Sequence, residues 1–353
     1  MGIEKKIRKC VQEMSAYPTA RAVKYEIGLM SNENNYGPSP KVKKALSEYS
    51  EKIFRYPDPE ARELRNKLSE YTGVPPENIV AFSGGDDAIR CILGLFVEKN
   101  SEVISYSPTF PMYEIGTRFY GGRFITQPLD ENFAFTHATA EGMLSKINER
   151  TVAIAICNPN NPTGTGVAHG HIERFLDTGL PVILDEAYYE FSGKTLAGRI
   201  PDQENLIIIR SLSKAFALAG LRVGYALASK EIANALMKTK LVFNVNGAAQ
   251  ACALAALADI DYMRSTVSQI IKDRERVRTE ISRMGYKAYP SEANFLLVKA
   301  PFPNLAGHLL AKGILARESL PDCVRITIGK TDENDRLLSS LFEIAEEYGR
   351  MKK

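Results

Sequence analysis

The stretch NLIIIRSLSKAFALAGLRVGYALA, residues 205–228, decides how the rest of the chain is read. Two aliphatic runs, LIII and VGYALA, bracket a segment that carries Ser211, Ser213, Lys214 and Arg222. A continuous apolar run bounded by polar residues fits a strand covered on both faces rather than one facing water. Lys214 stands among Ala, Leu and Phe, and its polar neighbours crowd one end of the segment. A lysine kept only for solubility would sit at helical spacing on one polar face. The placement points to an amine working just past a strand end.

Outward from this stretch, the same pattern repeats. NIVAFS, EVISYS, RFITQPL, TVAIAIC, PVILDEA, NLIIIRS and LRVGYALA are strand candidates between residues 78 and 228. Helical stretches alternate with them, such as DDAIRCILGLFV after Gly84-Gly85. Its last part, ILGLFV, reads by length as a strand and by context as helix; either way it is too short to span a membrane. The alternation predicts an α/β fold, a mostly parallel seven-stranded sheet between helices, with a smaller α+β domain beside it. Residues 36–250 are expected to form the large domain. Residues 1–35, helix then extended chain, are expected to join 251–353 in the small one. The latter holds the charged helix 262–284, strands at NFLLV and VRITIG, and a last helix from near Thr331. No internal repeat or low-complexity segment interrupts this order.

Bulk properties narrow the function. A chain of 353 residues with a net charge of +3 and no basic block offers no footprint for nucleic acid or anionic membrane. MGIEKKIRKC is not followed by the apolar core of a signal peptide. The 5 cysteines are scattered singly, which suits reduced thiols in the cytoplasm. His169 and His171, read as part of a Gly-flanked turn, have no Cys or carboxylate partners nearby, so no metal site is expected.

In a parallel sheet, ligands bind where loops leave the carboxyl ends of strands. Four clusters occupy such places. SGGDD (83–87) turns sharply into a helix whose first amides, at Gly85 and Asp86, suit a phosphate. CNPNNPTGTG (157–166) is an irregular, Pro-rich loop. Its GTG lacks the third glycine of a dinucleotide fingerprint, because position 169 is His. DEAYYEF (185–191) ends a strand with Asp185, which is costly to bury without a cationic partner. The fourth is the opening stretch. Together they provide for a phosphate (Ser211, Ser213, Arg222 and the Gly85 and Asp86 amides), an aldehyde (Lys214) and a cationic ring nitrogen (Asp185). Pyridoxal 5′-phosphate carries all three groups.

With NENNYGPSP (32–40), PTFPMY (108–113), SEANFLLV (291–298) and VRITIG (324–329) added, the motif series covers nearly the whole chain. It resembles the fold-type I pyridoxal-phosphate-dependent aminotransferases, and within them is similar to histidinol-phosphate aminotransferases. The resemblance implies that Lys214 bonds to the cofactor aldehyde and later shuttles a proton. It implies that Asp185 keeps the ring nitrogen protonated, that Asn161 and Tyr188 bind the ring oxygen, and that Phe110 stacks on the ring. Ser211, Ser213, Arg222, Gly85 and Asp86 would hold the phosphate, with Tyr56 reaching it from the other subunit of a homodimer. Arg325 would grip the substrate α-carboxylate, while Tyr17, the residues Asn34 to Tyr36 and Arg317 would choose the side chain. Asn161 counts on both the cofactor and the substrate side. The partners implied are a small amino donor and a 2-oxo acid, with no nucleic acid and no membrane.

Three positions depart from the family pattern and bear on the substrate: Asn35, Glu318 and Ser83. The reaction expected is transamination between L-histidinol phosphate and 2-oxoglutarate. An aromatic amino acid aminotransferase and a threonine-phosphate decarboxylase are alternatives on the same scaffold. A non-catalytic cofactor-binding regulator would need a DNA-binding module, which neither end supplies.

Overall fold

The computed structural model describes residues 2–15 and 23–351. Its strands are β1 (Ile27–Gly28), β2 (Ile79–Phe82), β3 (Glu102–Ser107), β4 (Arg123–Pro128), β5 (Thr151–Cys157), β6 (Val182–Asp185), β7 (Leu206–Ser211) and β8 (Gly224–Ala228). They are followed by β9 (Lys287–Ala288), β10 (Phe295–Lys299), β11 (Ile314–Leu315), β12 (Arg317–Leu320) and β13 (Cys323–Thr327). The main sheet has seven strands in the order β2-β8-β7-β6-β5-β3-β4. Neighbours from β7 to β4 pair in parallel, and β8 alone runs against both β7 and β2.

Alternation along each strand builds a core on both sides. In β5, Ile154 and Ile156 face one apolar cluster while Ala153 and Ala155 face the other. In β7, Leu206 and Ile208 are opposed in the same way to Ile207 and Ile209. Each buried Leu or Ile contributes about 1.5–3 kcal/mol. The run ILGLFV resolves as helix: residues 92–96 end the helix Gly85–Phe96. His169 and His171 lie in the first turn of the helix His169–Leu176, not in a turn before it.

A four-stranded antiparallel sheet, β12-β13-β10-β9, forms the second layer. It packs with the helices Ile260–Arg283 and Leu305–Ala311, and the helix Thr331–Met351 packs on both of them. β1 pairs in parallel with β11, which ties the N-terminal segment to the C-terminal part of the chain. Helix Gly247–Leu257 packs on helices Pro40–Tyr49 and Arg62–Thr72. Leu184 and Ile208 of the large sheet share one apolar cluster with Phe295 and Ile326 of the small one. Among the described residues, no helix is long and apolar enough to cross a membrane.

Candidate active site

β2 runs parallel to β7, because β8 is antiparallel to both. The carboxyl ends of β2, β3, β5, β6 and β7 therefore open onto one edge of the sheet. A cavity of about 600 Å³ lies there, closed from the other side by β12 and β13. All four sequence clusters reach it.

At one end, Gly85, Asp86, Ser211, Ser213 and Arg222 line the cavity. Gly84 adopts φ +86°, and no side chain caps the helix Gly85–Phe96 that follows, so its first amides point outward. The loop sits hard against β8: a Cβ on Gly224 would meet the carbonyl carbon of Gly84 at 2.6 Å. Arg222, itself left-handed at φ +56°, lies 3.4 Å from the Asp86 carboxylate. The Ser213 hydroxyl is buried with no hydrogen-bond partner, although a buried hydroxyl is normally satisfied. A phosphate fits this end: it would accept from that hydroxyl, from the helix amides and from the guanidinium.

In the middle, Asp185 is buried at the end of β6. Its carboxylate accepts from the Tyr113 hydroxyl at 3.1 Å and from the Ala187 N–H at 3.0 Å. Burial raises its pKa to about 6 against these two donors, and the nearby Asp86 and Glu186 push the same way. Among the described residues no lysine or arginine forms an ion pair with it, so a ring N–H cation fits the vacant electrostatic role. Half-buried Phe110 lines the same space. Tyr188, 4% exposed, accepts a hydrogen bond from the Asn32 amide at 2.9 Å. These residues fit the phosphate and the ring nitrogen of pyridoxal phosphate.

Lys214 extends from the loop after β7 and donates to the Ser31 carbonyl at 2.9 Å. Burial lowers its pKa to about 8, with the Arg325 and Arg222 guanidiniums adding to the shift. At the far wall, Arg325 is nearly buried. It donates to the Asn161 side-chain oxygen and to the Met30 carbonyl, each at 2.6 Å. Arg317 of β12 is its direct cross-strand partner, and both line the cavity.

Of the segment Asn34 to Tyr36 expected at the substrate, none lines the cavity, and Tyr56, expected to act from the other subunit, does not line the cavity of its own chain. Asn34 does not line the cavity: its amide donates to the Ala215 carbonyl at 3.0 Å and to Thr266 at 3.2 Å. The asparagine of that motif which does line the cavity is Asn32. Tyr56 is 82% exposed and stacks on Phe243 at 4.4 Å, away from this cavity. Tyr17 lies outside the described residues. Tyr113, Asn32 and Ser31 are additions that the sequence did not single out. Tyr113 and Asn32 lay inside quoted motifs, but no spacing rule says which of several loop residues turns inward.

The model of the family described as aminotransferase class I and II matches residues 24–341. The histidinol-phosphate aminotransferase of Dehalococcoides mccartyi is 38% identical, over 98% of this chain and 99% of its own length. Histidinol-phosphate aminotransferase 1 of Archaeoglobus fulgidus is 38% identical, over 90% of this chain and 99% of its own. Among solved structures, the histidinol-phosphate aminotransferase of Sinorhizobium meliloti in complex with pyridoxal 5′-phosphate superposes with a TM-score of 0.86 at 27% identity. That likeness covers 97% of this chain and 98% of the other.

Proposed function

Because this chain belongs to the class I and II aminotransferase family, we propose that it transfers an amino group from L-histidinol phosphate to 2-oxoglutarate in a ping-pong cycle. Its cofactor is pyridoxal 5′-phosphate. The observation that carries the choice of donor is the Arg317–Arg325 pair, on one face of the small sheet and aimed at one cavity. Like charges directly opposite each other weaken a strand pair, and a phosphate dianion between them reverses the sign of that interaction. L-Histidinol phosphate has no α-carboxylate; a phosphate ester stands in its place. Arg325 would therefore meet the donor's phosphate in one half-cycle and the oxo acid's carboxylate in the other. This widens the role expected from the family motif alone.

When bound, the cofactor supplies an aldehyde and an electron-withdrawing ring. Lys214, half neutral near pH 8, takes the proton from the substrate α-carbon at Nζ. Asp185 holds the proton of the ring nitrogen. Tyr188 and the donor end of the Asn161 amide hold the ring oxygen, and Phe110 covers one face of the ring. Ser211, Ser213, Arg222 and the amides of Gly85 and Asp86 anchor the phosphate. The partner subunit's Tyr56 completes that anchor in a homodimer. An exposed apolar patch of Ile53, Phe54, Leu241 and Val242 around Tyr56 supports that assembly. Residues 36–250 and the combination of 1–35 with 251–353 are the two domains, a reading supported by the β1–β11 pairing. Free cysteines suit a cytoplasmic location.

The test is a half-reaction without oxo acid. The cofactor-loaded protein is mixed in turn with L-histidinol phosphate, phenylalanine, tyrosine, aspartate and threonine phosphate, and loss of the yellow colour is followed. Histidinol phosphate should react fastest. Reaction with aromatic amino acids alone would overturn the donor, and CO₂ released from threonine phosphate would mark a decarboxylase.

A further inference from the structure

Three consecutive residues, Met30 to Asn32, connect β1 to the catalytic side chains. The Met30 carbonyl receives Arg325, the Ser31 carbonyl receives Lys214, and the Asn32 side chain reaches Tyr188. The segment is anchored to the small sheet: Thr327 N–H donates to the Leu29 carbonyl at 2.9 Å, and Leu29 N–H to the Leu315 carbonyl at 2.8 Å. Asn32 is 1% exposed and left-handed, with φ +55°. Such a conformation costs free energy for most residues and is held here by several bonds at once. Its N–H donates to the Thr327 hydroxyl at 2.9 Å, and its carbonyl accepts from the Asn294 amide at 3.0 Å.

The polarity of this network follows from counting protons. The Thr327 hydroxyl already accepts from the Asn32 N–H, and its single proton goes to the Asn32 side-chain oxygen at 3.3 Å. With the amide oxygen engaged there, the amide NH₂ end faces the Tyr188 oxygen at 2.9 Å. A phenol oxygen that accepts from this side has its own proton on another, and Tyr188 borders the cavity. We propose that Asn32 is a positioning residue: through the Thr327–Asn32–Tyr188 chain it turns the Tyr188 proton into the cavity, toward an oxygen anion on the cofactor ring. Tyr188 thereby becomes a dedicated donor, and the small sheet sets the direction of its hydrogen bond. This rests on the role given to Tyr188 under Proposed function.

The test reads the pH midpoint of the visible absorption of the bound cofactor in four proteins: wild type, Asn32→Gly, Tyr188→Phe and the double variant. Glycine tolerates the left-handed backbone, so Asn32→Gly removes the side chain without adding strain. A ring oxygen that loses its donor holds more negative charge, and a proton nearby is bound more tightly. The midpoint should rise by about one pH unit in Tyr188→Phe, a tenfold tighter proton. It should rise in the same direction in Asn32→Gly, and no further in the double variant than in Tyr188→Phe. An Asn32→Gly shift that is absent, or equal in both Tyr188 backgrounds, overturns the positioning role while leaving the Tyr188 assignment intact. A Tyr188→Phe midpoint identical to wild type removes both. Should Asn32→Gly fail to fold, Thr327→Val frees the amide to turn and should raise the midpoint, while Thr327→Ser should restore it. A midpoint unmoved by Thr327→Val also overturns the proposal.

Discussion

At the scale of the residue, the apolar surroundings of Lys214 set its chemistry. Burial and the Arg325 charge disfavour the ammonium form, so half of the amine is neutral at about pH 8 instead of near its ordinary 10.5. The sign is definite: the neutral nucleophile gains as pH rises toward that value. The cofactor-free protein should therefore take up pyridoxal phosphate into a borohydride-trappable bond at a rate that climbs with pH and levels off above about 8. Arg325→Ala removes a like charge, so the midpoint should move upward. A profile that is flat over this range, or a midpoint that falls in Arg325→Ala, contradicts the account. Asp185 stood out in the sequence as a charge ending an apolar run and Lys214 as a charge set among apolar residues, because either placement is chemically anomalous. Asn32 was not, since three asparagines share its motif and only φ +55° and the Thr327 bond turn this one inward.

At the scale of the element, the strands were legible because each is an unbroken aliphatic run, and their order along the chain follows directly. Which loops touch was not legible. The loop at Gly84–Gly85 meets β8, a neighbour across the sheet that lies some 140 residues away in sequence. Gly224 is needed there for space: an added Cβ would stand 2.6–2.9 Å from the backbone of Gly84 and Gly85. Gly224→Ala should push the phosphate loop outward at a cost of about 1–3 kcal/mol. Cofactor affinity should fall about tenfold or more, read by titration of the cofactor-free protein. Unchanged affinity would show that the loop is softer than its contacts suggest. The run ILGLFV illustrates the opposite limit, since a short apolar segment has no intrinsic period and its helical state is set by the Gly84 turn ahead of it.

At the scale of the whole molecule, one surface away from the cavity carries an unusual apolar load. Ile53 is 74% exposed, Phe54 73%, Tyr56 82% and Leu241 74%. Such a cluster marks a surface that becomes covered. The protein should sediment as a dimer at micromolar concentration. The Phe54→Asp/Leu241→Asp double variant should sediment as a folded monomer whose cofactor affinity is lower by about tenfold or more, since the anchor from the partner subunit's Tyr56 is then gone. A wild-type monomer with full activity would remove the shared-site reading. The sequence by itself determined the strand series, the mostly parallel sheet and the cofactor, because hydrophobic periodicity and misplaced charges are local properties. Only the tertiary structure decided that Arg317 faces Arg325, that Asn32 rather than Asn34 enters the cavity, and that Tyr113 donates to Asp185. Those relations depend on register and on side-chain direction between segments distant in the chain, and no local pattern encodes them.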